Sequence, residues 1–493
     1  MGRIKRFSAS VAIIALLGAC GGGGGGTSGG GTSVTPPTTP PPPPTGSGCS
    51  LRERQDWVFA RMNEWYLFPE SLAANVNPAS YSSVQDYIDA LVAPARAQSR
   101  DRYFTYITSI AEENAFFQSG ASAGFGVRLS FDATARRLFV AEAFEGAPAL
   151  AAGIDRGTEI VAIGTSASNL RTVDNIIATE GVGGVNDALG PSTVGTSRVL
   201  RIRALDGSTR DVTLSKTEFS IDPVSDRYGA RIIDDGGKKV GYLNLRTFIG
   251  PAEGDLRAAF ASFKAQGVNE VIVDFRYNGG GLVSIAELMN NLLLNKPNGT
   301  VMGYTTFRAS QASNNETDLF TVQPQSISAM KIAFIGTGSS ASASELVMNA
   351  SLPFLGANAA LIGTNTYGKP VGQIALDRSA CDDRLRVVAF RTENANRQGD
   401  YYTGLASKFQ TTCRAPDDLT RQLGDPQEGS VKVALDFLAG RSCTPISSSG
   451  ADGISGTGAT PQGQQAQVSR LDEREMITPA APTPVQREVP GFF

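Results

Sequence analysis

The sequence contains no histidine. That absence excludes a Ser–His–Asp triad, a Cys–His pair and any His-ligated metal site. Acid–base chemistry must therefore fall to lysine, carboxylates or tyrosine. An excess of positive charge is missing too. The 44 Lys and Arg against 47 Asp and Glu leave a net charge of −3, so no basic face for a nucleic acid is implied. Beyond the N-terminal segment, no apolar run is long enough to cross a bilayer. Cysteine is scarce, at 5 in 493 residues, and none has zinc-site spacing. What remains is a chain with 41% hydrophobic and 18% charged residues, long enough for two or three domains with real cores.

The N-terminus reads as a targeting segment. Arg3, Lys5 and Arg6 precede the apolar run Val11–Leu17, which is too short for an ordinary span. Leu17-Gly18-Ala19-Cys20 follows and resembles a bacterial lipobox. The expectation is a lipoprotein signal peptide over 1–19 and lipidation at Cys20. A Gly/Pro-rich tether follows over 20–48, holding an exported protein to a membrane. In an oxidising compartment Cys49, Cys381, Cys413 and Cys443 can pair in three ways. The expected pairing is Cys381 with Cys413 and Cys49 with Cys443.

Ser50-Leu51-Arg52-Glu53 fits a capping box and opens a small helical segment over 49–115. Residues 116–218 are β-rich. Gly124-Phe125-Gly126-Val127 is a glycine turn entering a strand, and Asp206-Gly207 sits between two alternating runs as in a hairpin. From 225 to 445 strands alternate with helices, which implies an α/β layer architecture. Residues 446–493 are rich in Ser, Gly, Thr, Pro and Gln without an apolar period, and are expected to be disordered.

Three stretches carry chemistry. The run Ile332-Ala333-Phe334-Ile335 feeds a small-residue turn, Ser340-Ala341-Ser342-Ala343-Ser344, and then Glu345 and a helix. A buried strand, a tight turn and a helix N-terminus are how α/β folds present a nucleophile. Without histidine, a serine needs another base, and lysine is the usual substitute. A free lysine has a pKa of about 10.4, so a neutral amine near pH 7 requires roughly 4 kcal/mol from its surroundings. Lys369, in Tyr367-Gly368-Lys369-Pro370, lies in a stretch without carboxylates between Glu345 and Asp377. The third stretch, Asp274-Phe275-Arg276-Tyr277-Asn278-Gly279-Gly280-Gly281, is a strand ending in a glycine turn that can offer backbone N–H groups to an oxyanion.

In this order the three stretches resemble the carboxyl-terminal processing proteases, tail-specific serine proteases with a Ser–Lys dyad. The resemblance spans about residues 50–445 and implies a ClpP/crotonase-like β/α spiral for the protease core. It maps the nucleophile onto Ser342, the base onto Lys369 and the group orienting the amine onto Gln373. The oxyanion hole maps onto the N–H groups of Ala343 and Gly280, with Asp274, Arg276 and Glu345 supporting the site. Residues 116–218 resemble a PDZ domain, whose glycine turn, here Gly124, Phe125, Gly126 and Val127, takes a peptide C-terminus. Two positions depart from these patterns. Thr158 stands where the PDZ family has an acidic residue, and Pro370 follows the lysine and lacks a backbone donor.

The implied activity is hydrolysis of peptide bonds in exported proteins, selected by their C-terminal segments, with no metal or other cofactor. Partners are then protein or peptide substrates and a membrane reached through the lipid anchor. The alternative is a catalytically silent peptide- or ligand-binding lipoprotein on the same fold.

Overall fold

A computed structural model describes residues 48–446 and 474–493. The expected signal peptide, Cys20, nearly all of the tether and the first part of the C-terminal tail lie outside the described residues. Among the described residues, no helix is long and apolar enough to cross a membrane.

Helix α1 (Leu51–Trp65) starts where Ser50 caps it, with Ser50 N–H donating back to Glu53 Oε2 at 3.1 Å. Ser83 caps α2 (Val84–Leu91) with its Oγ, which accepts from Asp86 N–H at 3.0 Å. Their apolar faces, through Val58, Met62, Ile88 and Leu91, pack on Val371, Leu385 and Val387. The N-terminal helices therefore lie behind the strand that follows Lys369.

The β-rich unit pairs β1 (Val127–Asp132), β2 (Arg137–Ala143), β3 (Glu159–Gly164), β4 (Ser197–Arg203) and β5 (Thr209–Ser215) in an antiparallel sheet in that order. Helix α3 (Val173–Leu189) packs on it and bends at Gly181 (φ 70°). Apolar residues at alternate positions of β4, Leu200 and Ile202, face the core, as the period of a half-buried strand requires.

The core sheet has the order β6 (Ala230–Asp235), β7 (Lys238–Asn244), β8 (Glu270–Asp274), β9 (Lys331–Gly336), β10 (Ala359–Gly363) and β13 (Thr411–Arg414). All neighbours from β7 onward are parallel, and β6 is antiparallel. Side chains alternate across it. Val271, Val273, Ile332 and Phe334 face α4 (Ala252–Ala265), α5 (Val283–Leu294) and α6 (Ala343–Leu355). Ile272, Ala333 and Ile335 face α7 (Gly429–Leu438). Burial on both faces explains why these strands read as continuous apolar runs. A hairpin of β11 (Val371–Arg378) and β12 (Asp383–Asn394) belongs to a separate antiparallel sheet and carries Gln373.

Two expectations are corrected. The disulfides are Cys49–Cys381 and Cys413–Cys443, not Cys381–Cys413 and Cys49–Cys443. Cys413 lies on β13, and the chain returns beside it after α7 to bring Cys443 within reach. Cys381 sits at the bend between β11 and β12, against the N-terminal end of α1. The Cys49–Cys381 bond closes a loop of 332 residues. Its double serine variant is expected to lose about 2–4 kcal/mol of unfolding free energy, measured by urea titration. An unchanged midpoint would mean the cross-link adds nothing to the helix–hairpin packing.

The second correction concerns the tail. Residues 474–493 are not disordered: they form β14 (Glu475–Met476) and α8 (Pro484–Glu488). Strand β14 pairs with Ser130 and Phe131 of β1, and Ile477 N–H donates to Leu129 O at 3.2 Å.

Candidate active site

Three strands of the core sheet end side by side, and each hands the chain to a site turn at its carboxyl end. This is the edge where open parallel sheets place ligands. After β8 comes the glycine turn, after β9 the serine turn, and after β10 the lysine loop.

The serine turn is fastened to the glycine turn by its outer serines. Ser340 Oγ donates to Phe275 O at 2.8 Å, and Ser344 Oγ to Asn278 O at 3.0 Å. Ala341 N–H also donates to Asn278 O at 3.0 Å. Both serines are fully buried, whereas Ser342 between them keeps partial exposure. Ser342 is the N-cap of α6 and has φ 55° and ψ −112°, outside the regions an L-residue favours. Such strain is stored where the surroundings dictate it. Here the dictating bonds are those of the flanking residues and of Glu345.

Glu345 joins the serine turn to the lysine loop. One oxygen accepts from Ser342 N–H at 3.0 Å and Lys369 N–H at 2.7 Å. The other accepts from Thr366 Oγ1 at 2.6 Å and Gly368 N–H at 2.7 Å. Burial pushes this carboxyl above its ordinary range, although all four donors pull it down. Glu345→Ala leaves those donors without an acceptor. It is expected to cost about 3 kcal/mol or more of stability and at least about 100-fold in activity. Glu345→Gln, which keeps the shape and two acceptor lone pairs, should recover part of both in denaturant titrations and rate assays.

Lys369 Nζ donates to Gln373 Oε1 at 2.9 Å and lies 5.2 Å from the Phe104 ring centroid. Gln373 Nε2 donates onward to Phe104 O, which fixes the amide's orientation from the N-terminal segment. The residue keeps intermediate exposure overall, but its amine behaves as a desolvated group. Burial lowers its pKa below that of an ordinary lysine, while Glu488 and Asp101 work in the opposite direction. No hydrogen bond joins Lys369 to Ser342 in this arrangement. Pro370, which cannot donate, uses its carbonyl to accept from Thr392 N–H at 3.0 Å and opens β11.

Gly280 lies against Ser342, with φ 123°. A Cβ there would sit 2.8 Å from Ser342 Cβ, so only glycine fits. Its N–H donates to Asn278 Oδ1 at 2.9 Å. The N–H of Gly279 points elsewhere, donating to Glu488 O of the tail at 3.0 Å. Ala343 is the first residue of α6, where a backbone N–H has no intrahelical acceptor.

Asp274 and Arg276 lie beneath the glycine turn. Arg276 is fully buried and bridges Asp274 at 2.8 Å, Glu428 at 2.9 Å and Asp417 at 3.1 Å. Asp417 also pairs with Arg156 of the β-rich unit at 2.6 Å and accepts from Tyr277 Oη. Arg128 of β1 donates to the Tyr277 carbonyl and is paired with Glu142 at 2.9 Å. Burial alone would push Glu142 up, but Arg246 and Arg128 hold it at about 2. No motif marks Arg128, Arg156, Asp417 or Glu428, because each is defined by a partner more than a hundred residues away in the chain.

In the β-rich unit, Gly126 N–H and Val127 N–H donate to Phe493 O at 2.9 and 3.2 Å. A Cβ on Gly124 would meet the Phe493 carbonyl carbon at 2.8 Å. Phe125 lies in the apolar cluster that also holds the Phe493 ring.

A serine at a strained helix cap, a desolvated lysine and a glycine turn packed on the serine suit acyl transfer. Known proteins agree with that chemistry. Residues 239–398 match the model of peptidase family S41, and residues 53–106 that of the peptidase S41 N-terminal domain. A chloroplastic carboxyl-terminal-processing peptidase 3 of Arabidopsis thaliana is 26% identical over 388 residues, covering 77% of this chain and 69% of its own. A carboxyl-terminal-processing protease of Synechocystis sp. is 23% identical over 334 residues, covering 65% and 70%. The fold is shared with an S41 protease structure from Bacteroides fragilis NCTC 9343, with a TM-score of 0.59 at 23% identity, covering 78% of this chain and 97% of that one. The chain is a serine-type peptidase that acts on protein or peptide substrates. These matches support a place among the carboxyl-terminal processing proteases of peptidase family S41.

Proposed function

We propose that the chain is a Ser–Lys endopeptidase of exported proteins, with Ser342 as nucleophile and Lys369 as base. The observation that carries this reading is the single carboxylate of Glu345, which holds the Ser342 cap and the Lys369 backbone together. The absence of histidine leaves lysine as the base.

Neutral Lys369 takes the proton of Ser342 Oγ, and the oxygen attacks the scissile carbonyl. Gln373 holds the amine's direction throughout. The oxyanion is stabilised by Ala343 N–H at the start of α6 and by Gly280 N–H, which turns from Asn278 Oδ1 toward the substrate. The protonated lysine then returns its proton to the leaving amine, and water hydrolyses the acyl-enzyme. Asp274 and Arg276 touch no reacting atom and position the glycine turn.

The β-rich unit is read as a PDZ domain whose Gly124–Val127 turn binds a substrate C-terminus. Its antiparallel pairing with residues 491–493 at Val127 and Leu129 is the strand-addition geometry this requires. Cys20 is read as the lipid attachment that tethers the enzyme in the cell envelope.

The test uses the part from Gly48 onward and a set of unfolded proteins with apolar C-termini. Cleavage is expected, with loss when the substrate's C-terminus is amidated or made acidic. Absence of cleavage across many such substrates would favour a silent binding protein.

A further inference from the structure

The groove assigned to substrate C-termini is occupied by a segment of the chain itself. Residues 491–493 run antiparallel to β1: Leu129 N–H donates to Gly491 O at 2.7 Å, and Phe493 N–H to Val127 O at 2.9 Å. The Phe493 carbonyl oxygen takes the N–H groups of Gly126 and Val127. The Phe493 ring is buried in the cluster of Phe125, Ile176, Val185 and Leu189. The Phe492 ring enters a second cluster, 5.6 Å from the Phe144 centroid and 5.9 Å from that of Phe219.

The same segment covers the catalytic turn. Gly279 N–H donates to Glu488 O, and a Cβ on Gly279 would meet Arg487 O at 2.8 Å. Arg128 donates both to Pro490 O at 3.3 Å and to Tyr277 O, so one side chain of β1 touches the tail and the glycine turn together. The Glu488 carboxylate favours the charged form of Lys369, the form that cannot act as a base. Arg487 stacks its guanidinium on the Tyr106 ring, 3.7 Å from the centroid, but its Nε is buried without an acceptor among the described residues.

We propose, resting on the function read above, that residues 484–493 are a resident ligand of both the groove and the catalytic cleft. Substrates that displace this segment share its chemistry, an aromatic pair in an extended strand. The enzyme is thus self-occupied until such a segment competes, and because residues 484–493 are tethered, competition faces a local concentration on the order of millimolar.

The test uses the full chain, a Phe492→Ser/Phe493→Ser variant and a chain ending at Thr483. The probe is a fluorescent decapeptide with the sequence of residues 484–493, with its two phenylalanines intact or both replaced by serine. Both altered chains are expected to bind the intact peptide at least about 10-fold more tightly than the unaltered chain, and the serine peptide far more weakly. They should also cleave an unfolded substrate faster, and excess intact peptide should suppress that gain. Should the shortened chain fail to fold, the double serine variant carries the same comparison. Equal peptide binding by all three chains, or indifference to loss of the two phenylalanines, overturns the proposal whatever the cleavage rates. Tight binding by the altered chains with no cleavage by any chain upholds the ligand and overturns the peptidase reading instead.

Discussion

Replacing Lys369 by Met or by Arg is expected to lower kcat/KM on an unfolded substrate by at least about 10³-fold, with the fold intact by circular dichroism. Methionine keeps the stem and removes the amine. Arginine keeps a positive charge but cannot give up its proton at any accessible pH, so it separates electrostatics from base catalysis. Ser342→Ala should fall as far, and combining it with Lys369→Met should cost little more, because the two act as a unit. The pH dependence follows from the environment of the amine. Burial lowers the Lys369 pKa below the ordinary lysine value. The active form is neutral, so kcat/KM should rise with pH on the acid side and level off once the folded-state pKa is passed, below about 10.4. A rate that declines as pH rises from 6 to 8 would sink Lys369 as the base.

The second large effect falls on stability. Arg276, Asp274 and Glu428 are all fully buried, and one guanidinium serves both carboxylates. Arg276→Ala strands those charges and weakens the hold on Asp417, so a loss of about 3–5 kcal/mol is expected in urea titrations. Arg276→Lys keeps a charge but not the planar fork that spans both partners, and should recover only part of it. The loss should also depend on pH in a definite sense. In the native protein, burial would raise Glu428, but Arg276 holds it below the ordinary range. Its share of stability is therefore present above about pH 4 and lost as pH falls through the lower folded value. In Arg276→Ala the stranded Glu428 carboxylate can relieve itself by taking a proton. The gap between variant and native protein should then be widest near neutrality and narrow toward pH 4.

The strands, helices and turns of the core were legible because their signals are local. Val271 to Asp274 and Ile332 to Ile335 are apolar runs of strand length followed by small residues, and the helices after them carry an apolar face. Ser342, Lys369 and Gly280 lie on turns that follow adjacent parallel strands, whose ends bring distant turns together, whereas Gln373 comes from β11 of the separate antiparallel sheet. Helix α3 escaped notice because Gly181, Gly183 and Gly184 interrupt its period. The disulfide pairing was illegible for a different reason: four cysteines carry no register, and only the meeting of the β11–β12 bend with α1 decides it. The tail escaped for a third. Ile477, Val485, Val489, Phe492 and Phe493 have no common period, since each fills a pocket on another part of the molecule.

That residues 491–493 are themselves strand partners has a practical side. A label or substitution that disturbs Phe493 would break the bonds its carbonyl oxygen accepts from Gly126 and Val127. Rates measured on such a variant describe a different resting state from that of the native chain, whereas a label placed ahead of residue 48 leaves the pairing along β1 in place.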